Sequence, residues 1–118
     1  MKTEYKNKII NKLTGSKIQH DPYFHVELDN FLPDDLAKEL SSDFLNYDDE
    51  RWFCYKNKIE DKKLLSDWRQ FPKATYQLFS FLNSTYMLET LSNLVDAKLY
   101  PDHGLHGGGW HIHASGGK

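Results

Sequence analysis

The stretch HGLHGGGWHIHASGGK, residues 103–118, carries most of the information that the sequence holds about fold and function. It contains four of the six histidines and six of the seven glycines in the 118-residue chain. His111 and His113 stand two positions apart, so on a strand both side chains would leave the same face. The three glycines at 107–109 lack Cβ atoms, which permits positive φ angles or a close approach of backbone to a ligand. This pattern predicts a shaped loop beside a pocket.

Two histidines on one strand face also suggest a metal site. His103, His106 or Asp102 would supply a further ligand after a turn, and such nitrogen and carboxylate ligands suit zinc or ferrous iron. An H-x-H pair is equally compatible with two polar side chains on an exposed or cleft-facing strand. The residues alone leave both interpretations open, with His111, His113 and His103 as the candidate ligands.

The composition describes one small domain, residues 1–118, with 39% hydrophobic and 14% aromatic residues to build a core. The net charge is −2 and no basic stripe is present, so we expect no nucleic-acid partner. No apolar run reaches the roughly 18 residues of a membrane span, and the N-terminus lacks the apolar segment of a secretory signal. We therefore expect a cytoplasmic protein with no membrane contact.

Three helices are predicted from their start signals and apolar periodicity. Pro33 and the acidic pair after it open the first, Pro72 opens the second, and Ser84 caps the third. Residues 5–13 fit either a weak amphipathic helix or an extended lead-in.

Strands are predicted where polar and apolar residues alternate or where aromatic residues cluster, at residues 24–28, 51–55 and 97–101. Cys54, the single cysteine, excludes an intrachain disulfide, and we expect its thiol to be a buried core group. The charged run 58–63 is expected to form a solvated surface. Helices combined with few strands predict an α+β fold.

Two separated blocks of the chain resemble one enzyme family. Residues 99–118 resemble the segment just before the metal motif in iron(II)- and 2-oxoglutarate-dependent oxygenases of the prolyl-4-hydroxylase-like superfamily. Its Pro101-Asp102 pair, its GGGWH run at 107–111 and its Gly116-Gly117 pair match the pattern of that family. The block DPYFHVELDNFLPDDLAKEL, residues 21–40, is similar to the family's entry strand and first helix.

The resemblance implies a double-stranded β-helix, or jelly-roll, fold, of which this chain would hold the N-terminal helical layer and the first strands. Residues 103–118 would form a loop beside the active-site pocket. In the complete domain, two histidines and one carboxylate would hold Fe(II). The co-substrates would be 2-oxoglutarate and O2, and the usual outcome would be hydroxylation.

The family's H-x-D iron motif would begin a few residues after Lys118. By this match, no catalytic residue and no iron ligand carries over to the chain, which we expect to be truncated and inactive alone. The residues implied to line the 2-oxoglutarate or substrate side of the pocket are Tyr100, Trp110, His111 and His113.

Two other functions stay open at the level of sequence. The chain would be a small self-contained metal-binding protein if the C-terminal histidines bind an ion. It would be a non-enzymatic interaction module if an exposed helix face binds a partner chain. The residues on that face would be Phe79, Leu82, Met87 and Leu91. Exposed apolar faces would also allow self-association.

Overall fold

The chain folds into four α-helices and a three-stranded antiparallel sheet, which a computed structural model describes for residues 1–116. The helices are α1 (Thr3–Thr14), α2 (Asp34–Asp43), α3 (Lys73–Leu82) and α4 (Thr85–Val95). The strands are β1 (Phe53–Lys56), β2 (Asp61–Leu65) and β3 (Trp110–Ile112), with one 3-10 turn at Trp68–Gln70. The α+β prediction is confirmed. No helix within residues 1–116 has the length and apolar character needed to cross a bilayer.

Capping groups explain where α3 and α4 begin. Ser84 Oγ accepts the Met87 N–H at 3.2 Å and so satisfies a free donor in the first turn of α4, as predicted. At the start of α3, the Asp43 carboxylate accepts the Ala74 N–H at 2.9 Å. Because Asp43 is the last residue of α2, this bond also ties the end of α2 to the start of α3. The segment 5–13 adopts the helical alternative, within α1.

The four helices share one apolar core, in which α1 packs on α4 and α2 packs on α3. Burial of each Leu or Ile side chain in such a core contributes about 1.5–3 kcal/mol. The buried members of this core are Tyr5, Ile9, Ile10, Leu13, Leu36, Leu40, Ala74, Leu78, Phe81 and Met87.

The helix face that was expected to be exposed for a partner is packed instead. Met87 is fully buried in the helical core, and Leu82 and Leu91 lie half-buried against it. Phe79 is also half-buried and stacks on Phe71 with 5.5 Å between ring centroids. The prediction of an open face on α3 and α4 is therefore wrong, because the other helices cover it.

The sheet has the strand order β1-β2-β3, and its two faces differ in burial. In its register, Phe53 pairs with Leu64, Leu64 pairs with His111, and Leu65 pairs with Trp110. The inner face is the side of the sheet that carries Leu65, Trp110 and Ile112. These side chains pack in a second apolar cluster with Leu45, Trp52 and Phe71. The outer face is the opposite side of the sheet, which carries Phe53, Leu64 and His111.

Two predicted strands do not form. Residues 24–28 make only an isolated bridge, in which Gln19 and His25 exchange backbone hydrogen bonds of 2.8 and 3.0 Å. Residues 97–101 are irregular, and the Leu99 N–H donates to the Ser92 hydroxyl at 3.0 Å rather than to a strand. In both places the alternating pattern lacks a neighbouring strand to pair with.

The exposure of Cys54 corrects a further expectation, whereas the charged run 58–63 is exposed or half-buried, as expected for a solvated surface. The charged run 58–63 contains the start of β2, which bonds to β1 on one side and to β3 on the other. The predicted strand around Cys54 exists as β1, but all four of its residues are exposed because β1 is the edge of the sheet. The Cys54 thiol is therefore not a core group.

Candidate functional site

The segment that leads into β3 is anchored at three points. The Asp102 N–H donates to Asn83 Oδ1 at 3.0 Å, and Trp68 Nε1 donates to the His103 carbonyl oxygen at 2.6 Å. Leu105 is buried, although its neighbours in sequence are exposed. These anchors give the glycine-rich loop a defined path, as the sequence predicted for a shaped loop.

Two of the three consecutive glycines adopt positive φ angles, but they meet different surroundings. Gly107 has φ +73° and open space where a Cβ would stand. Gly109 has φ +88°, and a Cβ there would overlap the carbonyl oxygen of Leu65 and lie 3.0 Å from Ser66 Cα. Gly109, directly before β3, is thus the glycine of this run that lies against the backbone at the end of β2. Gly117, the second residue of the Gly-Gly pair, lies outside the described residues.

Trp110 joins the two apolar clusters. Its ring packs against Phe44 and Phe79 with centroid distances of 5.7 and 5.3 Å. Its Nε1–H donates to Thr75 Oγ1 at 3.0 Å, which satisfies the one buried polar side chain of α3. One side of Trp110 borders a cavity of about 390 Å³ at the end of α2. The residue predicted to line a pocket is therefore mainly a packing residue that fixes β3 to the helices.

The H-x-H pair follows the predicted alternation. Trp110 and Ile112 point to the inner face, while His111 is exposed on the outer face. His113 follows the strand and is also exposed. On the outer face His111 stands beside Leu64, and Leu64 stands beside Phe53, whose side chain is 66% exposed. This row of two apolar side chains and one imidazole has no covering layer within residues 1–116.

Asp102 and His106 are joined by two hydrogen-bonding contacts within the loop. The Asp102 carboxylate accepts the His106 backbone N–H at 2.7 Å and contacts the ring Nδ1 at 2.9 Å. The hydrogen bond from the His106 ring holds the pKa of the Asp102 carboxyl below its ordinary value. Gly104 makes room for this ring, because a Cβ there would lie 2.5 Å from His106 Cε1.

The candidate metal ligands do not come together. Within residues 1–116 no group of three or more His, Cys, Asp or Glu side chains is arranged to hold an ion. His103 borders a cleft beside α4, whereas His111 lies on the outer face of the sheet. The described residues therefore do not form the three-ligand site that the metal interpretation of His103, His111 and His113 requires.

Tyr100 lies apart from the other residues predicted to line a pocket. Its side chain is 73% exposed, and Lys98 Nζ lies 5.5 Å from its ring centroid. Its neighbours Leu99 and Pro101 line a cleft of about 1090 Å³ beside α4. This cleft could not be predicted from the sequence, because its two walls meet only where the chain returns along α4.

Comparison of the chain with known protein families, with curated proteins and with solved structures found no match. The functional assignment therefore depends on the residues and on the geometry described above.

Proposed function

We propose that this chain is the N-terminal portion of an iron(II)- and 2-oxoglutarate-dependent oxygenase domain of the prolyl-4-hydroxylase-like type. One observation carries the proposal beside the sequence resemblance. The small sheet is covered by apolar packing on its inner face and open on its outer face, although the outer face carries large apolar side chains.

The composition of the outer face favours a missing second sheet. Phe53 is 66% exposed and Tyr55 is 40% exposed, whereas Leu64, on the central strand β2, is half-buried. Fully burying a side chain of this size contributes about 1.5–3 kcal/mol, so an open row of this kind favours a covering layer. A jelly roll supplies such a layer, because it packs two sheets face to face about 10 Å apart.

The iron ligands of the proposed enzyme lie outside this chain. Residues 1–116 hold no cluster that would bind the ion, and the H-x-D motif would follow Lys118. The proposed contribution of these residues is structural: the helices support the sheet, Trp110 fixes β3, and His111 faces the space between the sheets. When bound, iron and 2-oxoglutarate would supply the oxidative chemistry, and the protein would orient the substrate and exclude water.

The coding DNA after the Lys118 codon provides the direct test. We expect the reading frame to continue into a strand with an H-x-D motif. The 118-residue chain itself should form no succinate from 2-oxoglutarate with added Fe(II), whereas the extended protein should form it. Turnover by the 118-residue chain, or a stop codon directly after Lys118, would contradict the proposal.

A Phe53→Asp variant tests the covering layer separately. In the 118-residue chain the exposed site should tolerate the charge, with a change of less than about 0.5 kcal/mol in the free energy of unfolding. In the extended protein the same change should cost several kcal/mol, since it buries an unpaired carboxylate. Tyr23→Asp is the matched control, because Tyr23 is exposed on a distant loop and should be tolerated in both proteins.

A metal-binding function is a second candidate, favoured by the exposure of His111 and His113 two positions apart. Isothermal titration with Zn²⁺ and Fe²⁺ tests it directly. Binding tighter than micromolar that disappears in a His111→Ala, His113→Ala double variant would support it. Binding that persists in the double variant would show that the ion binds at residues other than His111 and His113.

A further inference from the structure

A small groove lies where α1, α3 and α4 meet. Its volume is about 320 Å³, near the lower end of the range for small-molecule sites. Helix α1 contributes Lys6, α3 contributes Tyr76 and Phe81, and the start of α4 contributes Tyr86. Within residues 1–116 no strand residue lines it, so the groove is separate from the sheet surface discussed above.

The groove has an apolar floor between two aromatic rings. Phe81 is buried in the helical core and closes the groove on that side. Tyr76 and Tyr86 are 50% and 51% exposed, so their rings stand at the rim. The Trp68 ring packs against Tyr76 with 5.3 Å between centroids, which holds one of the two rings in place. A molecule with one aromatic ring or a short alkyl chain can therefore bury its apolar body here.

The groove carries a single charged side chain among its described lining residues, and that charge is positive. Lys6 Nζ lies 5.9 Å from the Phe81 ring centroid, and the Lys6 side chain is half-buried. Lys8, two positions along α1, pairs with Glu4 at 3.1 Å, whereas Lys6 makes no ion pair with a described residue. A partly desolvated ammonium group without a counterion favours an anionic partner.

The N-terminal end of α4 adds positive potential at the same groove. Ser84, which caps α4, and Tyr86, in its first turn, both line the groove. The Ser84 hydroxyl is used by the Met87 N–H, and the Tyr86 N–H has no acceptor among the described residues. Unpaired N–H groups and the helix dipole both favour a negative group at a helix start. The helix end and Lys6 are thus independent features that favour the same sign of charge.

The combination of one cation, a helix start and an apolar floor fits one chemical class. A small inorganic anion would leave the Phe81 surface unused, and a neutral apolar molecule would leave the Lys6 ammonium group without a counterion. A polyphosphate would need more positive groups than the groove offers. We propose that the groove binds a small monocarboxylate with an aromatic or short alkyl body. The carboxylate pairs with Lys6, and the body packs on Phe81 between the two tyrosine rings.

The test is an NMR titration of the ¹⁵N-labelled chain with 3-phenylpropanoate and hexanoate. Concentrations up to about 10 mM detect dissociation constants in the millimolar range. We expect at least one of them to shift the amide signals of Lys6 and of residues 76–86, while the signals of the sheet stay unchanged. The amides of the two acids keep the apolar body without the charge, and acetate keeps the charge without the body. Each of these should bind about tenfold more weakly than the better carboxylate.

Variants of Lys6 test the charge directly. Lys6→Gln should weaken carboxylate binding about tenfold, the effect of losing one charge-assisted hydrogen bond, and should leave amide binding unchanged. Lys6→Arg should retain carboxylate binding. Lys38→Gln is the matched control, because Lys38 is exposed on α2 and does not line the groove.

Several results would overturn the proposal. Neither carboxylate shifts the groove signals, the amides bind as tightly as the carboxylates, or Lys38→Gln weakens binding as much as Lys6→Gln. Acetate or inorganic phosphate that binds the groove as tightly as 3-phenylpropanoate would also overturn it, because the site would then recognise a simple anion. None of these outcomes depends on oxygenase activity.

Discussion

Gly109→Ala should destabilise the protein far more than the same change at Gly107. Both glycines have positive φ angles, so an alanine at either position costs about 1–2 kcal/mol of backbone strain. At Gly107 nothing lies within 4 Å of the added Cβ, and strain is the whole cost. At Gly109 the Cβ would overlap the Leu65 carbonyl oxygen, and a backbone atom cannot turn aside as a side chain can.

To accept this Cβ, β3 must move away from β2 and carry Trp110 with it. Complete loss of a fully buried Trp side chain costs about 3–5 kcal/mol, and a shifted β3 loses part of the packing of the half-buried Trp110. We therefore expect Gly109→Ala to lower the free energy of unfolding by roughly 2–4 kcal/mol more than Gly107→Ala.

Urea denaturation followed by far-UV circular dichroism measures the difference between the two variants. Both substitutions replace glycine with alanine at a positive φ, so the difference in stability between the two variants isolates the steric contact with Leu65. Equal midpoints for the two variants would refute the close approach of β3 to β2. A Gly109→Ala chain that is unfolded without urea, beside a folded Gly107→Ala chain, would agree with it.

Three further changes test the loop and its supports. Trp110→Phe should cost about 1–3 kcal/mol, since it leaves the buried Thr75 hydroxyl without its partner, and adding Thr75→Val should recover part of the loss in urea denaturation. Ser84→Ala should cost about 1 kcal/mol in the same assay by removing the cap of α4, whereas Ser84→Gly should cost only a few tenths. His106→Ala should raise the pKa of Asp102 towards its ordinary value in an NMR titration; an unchanged pKa would rule out the ring contact as its cause. Because this pKa is lowered by the folded state, the stabilisation by Asp102 should be present above the ordinary carboxyl pKa and lost as the pH falls through the lowered value.

The helices were predictable because their signals are local. The acidic pair after Pro33, the position of Pro72 and the hydroxyl of Ser84 all act within one turn of the helix that they start. The alternation around His111 was equally readable, since side chains on a strand change face at every residue. It predicted that His111 and His113 would share a face on a strand, and both side chains are exposed.

The strands were predicted less well because their hydrogen bonds join distant residues. Residues 24–28 have a better alternating pattern than β2, yet they find no strand to pair with. β2 forms despite its adjacent lysines, because β1 and β3 bond to it on both sides. The exposure of Cys54 follows from the same cause, since a position at the sheet edge depends on strand order.

The roles of the candidate site residues depended most on tertiary structure. The sequence alone indicated a glycine-shaped loop at residues 103–118 and a shared face for His111 and His113 if they lie on a strand. Only the fold decided that Trp110 would bond to Thr75, 35 residues away, and that Leu99 and Pro101 would line a cleft beside α4. The physical reason is the range of the forces: helix caps and strand alternation act between near neighbours, whereas buried hydrogen bonds, close backbone contacts and cleft walls join segments that meet only when the chain has folded.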